Sequence, residues 1–90
     1  MGIAAVIVRI MPNAPNIDLK EIEGAAKIEL EKEGAKNISF KEEAIAFGLS
    51  AIEIKFAWPE EKNTDIIENE LAKVKNVSSV KIEDYRRAFG

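Results

Sequence analysis

Nothing constrains this chain more than its apolar period, which changes from strand-like to helix-like and back, twice over. Ala4-Ala5-Val6-Ile7-Val8-Arg9-Ile10 is a nearly continuous apolar run, rich in β-branched residues, and reads as a central strand. Pro12 and Pro15 end it in a loop. Asp18 stands three residues before Glu21, as in a capping box. Leu19, Ile22, Ala26 and Leu30 then recur at helical spacing, and Gly34 fits the stop just past that helix. Ile38 and Phe40 alternate with Ser39 and Lys41 in a second strand. The pair Glu42-Glu43 interrupts it, which predicts a bulge or an edge position there. Phe47-Gly48 reads as the turn into a third strand, where Ile52, Ile54, Phe56 and Trp58 point one way and Ala51, Glu53, Lys55 and Ala57 the other. Pro59 and the polar Glu60-Glu61-Lys62-Asn63 follow. Thr64 is the expected N-cap of a second helix, with Asp65 in its first turn and Ile67, Leu71 and Val74 as its stripe. Val80 and Ile82 alternate with Lys81 and Glu83 in a last strand.

The order β-α-β-β-α-β predicts an α+β fold of the ferredoxin-like, split βαβ kind: a four-stranded antiparallel sheet with both helices on one face. Right-handed crossovers then put the first and third strands in the middle, which suits their apolar content. The 90 residues read as a single domain, 1–90, with no linker or low-complexity segment. A chain of this length buries roughly 60–65% of the surface it exposes when unfolded. Hydrophobic residues at 47% and charged residues at 32% are those of a globular chain. The longest apolar runs, at residues 3–8 and 44–47, fall far short of the ~18–20 residues that cross a bilayer. No basic segment precedes the first strand, and Val6 occupies the place where a myristoylation signal carries Ser or Thr. A cytoplasmic protein without a membrane partner is expected.

The sequence has no Cys and no His, which removes disulfides, thiol chemistry, His-based acid–base catalysis and the usual zinc ligands together. A net charge of −3 and a pI of about 5.0 argue against direct nucleic-acid binding and suit a basic protein partner better. Gly24, Gly34 and Gly48 are isolated, so no glycine-rich loop cradles a phosphate. Glu42-Glu43 and Glu60-Glu61 are adjacent pairs that splay apart in extended chain, and neither makes more than a weak site for a hard cation. No cofactor is expected. The uncovered sheet face should carry Ile7, Arg9, Lys41, Glu53, Lys55, Lys81, Glu83 and Tyr85, a pattern of cross-strand charge pairs. It lacks the aromatic platforms of an RNA-recognition sheet.

Two features stay open on pattern alone. Phe47 beside Gly48 either continues the second strand into the core or stands exposed at the turn. Arg86-Arg87 is either a solvated basic tail or a cationic contact.

Val6-Ile7-Val8-Arg9-Ile10-Met11-Pro12, Asp18-Leu19, Phe47-Gly48-Leu49-Ser50-Ala51-Ile52, Glu60-Glu61, Val77-Ser78-Ser79-Val80 and Asp84-Tyr85-Arg86-Arg87-Ala88-Phe89-Gly90 together resemble the archaeal elongation factor 1-beta family from end to end. The Phe-Gly turn and the following acidic loop are also similar to the C-terminal exchange domain of the eukaryotic relatives. The resemblance implies a ferredoxin-like fold. It also implies guanine nucleotide exchange on the GTPase elongation factor 1-alpha, which regenerates the GTP form that carries aminoacyl-tRNA. In the eukaryotic domain the Phe of this turn inserts into the GTPase, and a Lys near the C-terminus disturbs the magnesium site. Phe47 and Gly48 match the first directly. This chain has no Lys near its end, so Arg86 or Arg87 is the expected cationic replacement. Such a factor needs no nucleophile, only tighter binding to the nucleotide-free GTPase than to the nucleotide-bound one. The competing expectation is a small-molecule-binding or regulatory ferredoxin-like domain, which would need a polar pocket.

Overall fold

The computed structural model describes residues 2–87, and in it six elements follow the expected order: β1 (Ile3–Pro12), α1 (Leu19–Lys32), β2 (Lys36–Ala44), β3 (Ser50–Pro59), α2 (Asp65–Ala72) and β4 (Val77–Arg87). The sheet order is β2-β3-β1-β4, and every pairing is antiparallel. The two most apolar strands are therefore inside, and the charged β2 is an edge.

Alternation decides the two faces. Val6, Val8 and Ile10 of β1 and Ile52, Ile54, Phe56 and Trp58 of β3 are buried against Ile22, Ala26 and Leu30 of α1 and Ile67 and Leu71 of α2. Trp58 anchors one end. It is fully buried, its ring edge meets Phe56 at 6.0 Å and 75°, and its indole N–H donates to the Lys62 carbonyl at 3.2 Å. Burying a ring of that size contributes about 4–6 kcal/mol. The Lys62 ammonium lies 5.5 Å over the same ring and 2.7 Å from both the Glu33 carboxylate and the Glu33 carbonyl, so it ties the β3–α2 loop to the end of α1.

The ends of α1 explain its length. The Asp18 carboxylate accepts from the Lys20 amide at 3.0 Å. At the other end the Gly34 amide donates to Glu31 and the Ala35 amide to Leu30, the paired bonds of a Schellman motif, with Gly34 at φ +95°.

Four local expectations change. Thr64 already has helical backbone angles (φ −67°, ψ −20°) and its side chain caps nothing; Asn63, one residue upstream, accepts the Asp65 amide at 2.8 Å instead. Val74 lies past the end of α2 yet remains in the core. Glu42 and Glu43 pair regularly with Ile52 and Ala51, so the edge position holds there. The irregularity of β2 falls between Lys36 and Ser39, where Asn37 takes φ +56°. In β4, Val8 pairs with Ile82 but Ile7 with Asp84, which leaves Glu83 as an extra residue. This bulge reverses the alternation beyond it. Tyr85 consequently pairs with the buried Val6 and belongs to the helix-covered side, not to the open face.

Candidate functional site: an exposed turn and a basic strand end

The β2–β3 hairpin closes through a tight turn. The Ile45 amide donates to the Leu49 carbonyl and the Leu49 amide to the Ala46 carbonyl, both at 2.9 Å. The two central residues, Phe47 (φ +55°) and Gly48 (φ +78°), are both left-handed, as a type I′ turn requires. Gly48 meets that need at no steric cost. A Cβ there would make only an ordinary contact with Pro15 at 3.7 Å, so its role is conformational. Phe47 does not suit the position. A bulky side chain in the left-handed region costs on the order of 1–2 kcal/mol. The ring is also 96% exposed, which rules out the strand-and-core alternative. Ile45, nearly half exposed, extends the apolar surface beside it. Backbone strain and an unburied aromatic coincide at one residue, as at side chains held out for contact.

Arg86 and Arg87 are the last described residues, and both side chains are about four-fifths exposed. Arg86 Nε lies 2.9 Å from Asp84 Oδ2, and Arg87 Nε lies 3.4 Å from Glu60 Oε1. Glu60 is itself held at the start of β1, its amide donating to the Gly2 carbonyl at 3.1 Å. Its carboxylate covers Gly2 so closely that a Cβ there would collide with it. Residues 88–90, the end of the tail motif, lie outside the described residues.

The structure does not bring the two candidate points together. The Phe47 turn caps the sheet beyond the Ala44–Ser50 pair, whereas Arg86 pairs with Ala5, which pairs in turn with Ala57. Seven residues of β3 separate these rows, so the points lie about 25 Å apart at opposite ends of the sheet. Between them the open face is knit by charge. Arg9 sits near its centre and donates through Nε to Glu83 and through Nη2 to Glu43, each at 3.0 Å, which accords with the expected cross-strand pairing. Among the described residues, no cluster of three acidic, His or Cys side chains could hold a metal ion, and no helix is long and apolar enough to cross a membrane.

The model of the EF-1 guanine nucleotide exchange domain matches residues 5–88. The chain belongs to the EF-1 guanine nucleotide exchange family. It is 36% identical over 88 residues to Elongation factor 1-beta of Methanobrevibacter smithii, covering 97% of this chain and 98% of that protein. It is 34% identical over 88 residues to Elongation factor 1-beta of Haloarcula marismortui, covering 97% and 99%. A third relative, Elongation factor 1-beta of Staphylothermus marinus, is 34% identical over 89 residues at 97% and 98% coverage. This EF-1 exchange domain thus includes both the Phe47 turn and the Arg86-Arg87 strand end, and its role is that of an exchange factor in translation elongation.

One further residue of this exchange domain stands outside the motifs of the sequence. Glu23 on α1 is only 8% exposed, and its Oε2 is buried with no hydrogen-bond partner among the described residues. Lys20 Nζ stands 3.6 Å from Glu23 Oε1 and 3.5 Å from Glu42 Oε2, so one ammonium bridges α1 and β2. Burial, then the neighbouring Glu42 carboxyl, pushes the Glu23 carboxyl above its ordinary range against the pull of Lys20. The signal was present: Glu23 lies four residues after Leu19 and three before Ala26, on the apolar stripe itself.

Proposed function

We propose that this exchange factor acts on elongation factor 1-alpha: it binds the GDP form of that GTPase, speeds GDP loss and lets GTP enter. The GTP form then carries aminoacyl-tRNA in the cytoplasm. The factor makes and breaks no bonds. It acts by holding the nucleotide-free GTPase more tightly than the loaded one.

The observation that carries this reading is Phe47, an aromatic ring 96% exposed on a left-handed turn residue. Phe47 is the wedge and Gly48 the residue that lets the turn close. Removing a Phe side chain from water contributes about 1.5–3 kcal/mol. If that is gained only in the nucleotide-free complex, the nucleotide is weakened by roughly ten- to a hundredfold, at about 1.4 kcal/mol for each factor of ten. Arg86 and Arg87 are the cationic end. Their guanidiniums are open to solvent and would exchange Asp84 and Glu60 for phosphate oxygens or a magnesium-binding carboxylate. Because these residues lie about 25 Å from the Phe47 turn, wedge and cation act on separate parts of the GTPase surface.

Release of fluorescent GDP from elongation factor 1-alpha tests the reading. Phe47→Ala should lower the stimulated rate by at least about tenfold. Stimulation that is unchanged by the substitution removes Phe47 from the mechanism. A small-molecule-binding domain would instead leave the GTPase unbound in a pull-down.

A further inference from the structure

Among the described residues β2 is an edge strand, with a neighbour only on the β3 side, so what fixes its other contacts fixes the hairpin that continues from it. Two adjacent residues near its end are tied from opposite faces. On the open face Glu43 is held by Arg9 at 3.0 Å. On the helix side Glu42 Oε2 meets the Lys20 ammonium at 3.5 Å, and Glu23 Oε1 meets the same ammonium at 3.6 Å. From Glu42 the chain runs through Ala44 to the turn that presents Phe47.

The helix-side contact is incomplete when both acids are ionised. Glu23 is almost wholly buried, one of its oxygens has no donor, and a single ammonium faces two carboxylates. A proton placed between Glu23 and Glu42 resolves all three conditions. It supplies the missing donor, removes the like-charge repulsion, and leaves one anion for one cation.

We propose that Glu23 is a positioning residue: with Glu42 and Lys20 it forms a latch that pins the end of β2 to α1, holds the Phe47 turn in place, and tightens when the two carboxyls share one proton. The assignment of Phe47 as the point of contact rests on the function proposed above; the latch itself does not. The charged groups acting on Glu23 are Lys20 from α1 and Glu42 from β2. Its carboxyl is raised on folding, so the extra stability is complete below the ordinary carboxylate range. It is lost as pH rises through the raised value.

Glu23→Gln tests this, because the amide presents its N–H donor to Glu42 at every pH. Melting followed by circular dichroism between pH 4.5 and 8 should show the substitution raising Tm at pH 7.5 by roughly 2–6 °C and flattening the decline seen for the wild type. Glu42→Gln, at a more exposed position, should do the same from the other side. A lower Tm for both variants at pH 7.5 overturns the shared proton. Amide hydrogen exchange reads the positioning. Ile45 and Leu49, whose amides close the turn, should become more protected in Glu23→Gln at pH 7.5. If Tm rises while these two amides do not change, the link to the turn is wrong. Both measurements use the protein alone. A wild-type protein that fails to release GDP from elongation factor 1-alpha would sink the partner assignment, while the melting and exchange data still decide the latch.

Discussion

Replacing Phe47 by Asn should stabilise the domain and disable it at once. The turn demands two left-handed residues, and Phe47 at φ +55° is the costly one. Asn followed by Gly is the pair that type I′ turns favour most. Because the ring is 96% exposed, its removal forfeits almost no packing in the free protein. The gain is then the relief of left-handed strain, about 1 kcal/mol out of the ~1–2 kcal/mol that such a position costs an ordinary L-residue. For a domain of this size about 1 kcal/mol moves Tm by roughly 4–8 °C. Exchange should respond in the opposite sense. A buried aromatic anchor is worth about 2 kcal/mol or more to a complex, so the stimulated rate of GDP release should fall by about 30-fold. Thermal melting and fluorescent-GDP release on the same preparation separate the two effects. A Tm that stays level or drops would refute the strain argument. A higher Tm with full exchange activity would refute the role of the ring. Loss of activity together with loss of stability would reduce Phe47 to a residue of the fold.

Arg86→Ala and Arg87→Ala should each slow exchange, with the wild-type advantage shrinking as salt is added. Their exposed ion pairs with Asp84 and Glu60 are worth at most about 1 kcal/mol, so Tm should move by only a few degrees. Gly34→Ala should lower Tm by roughly 4–8 °C, since φ +95° is strained for any Cβ-bearing residue; the nearest atom to the new Cβ, Pro59 Cγ at 3.5 Å, is no obstacle. Trp58→Phe should cost about 1–3 kcal/mol, read by urea melting, because it leaves the Lys62 carbonyl without its donor and opens a void against Phe56.

The parts of the fold that were legible in the sequence were those set by a repeating period. The alternation Ile52, Ile54, Phe56, Trp58 gave β3 and its buried face, and the apolar content of β1 gave its central place. What period cannot carry is a break in period. The extra residue at Glu83 has no compositional mark, so alternation alone puts Tyr85 on the wrong face. Thr64 and Asn63 are both fit to cap, and only the backbone angles at Thr64 decide between them. At the site, Phe47 was legible as an anomaly: a large apolar residue beside a turn glycine. Its orientation was not, because a strand end and a type I′ turn accept the same four letters until the φ values are known. Glu23 was readable but masked by its neighbours, one acid in a helix that also carries Glu21, Glu29 and Glu31. The separation of the turn from Arg86-Arg87 needed the sheet order, which is a property of pairing and not of any one segment.

The hairpin that ends in Phe47 also limits how its reach can change by insertion or deletion over generations. One residue added to β2 alone would slip the register and send Lys41 and Glu43 toward the core. One residue added to each strand would preserve the pairing but turn the tip over, so that Phe47 left the sheet on the opposite side. Two residues per strand preserve both and carry the tip outward by about 7 Å. Heritable variation in the length of this arm is therefore quantised, and small adjustments of its reach must come from substitution in the turn rather than from growth of the strands.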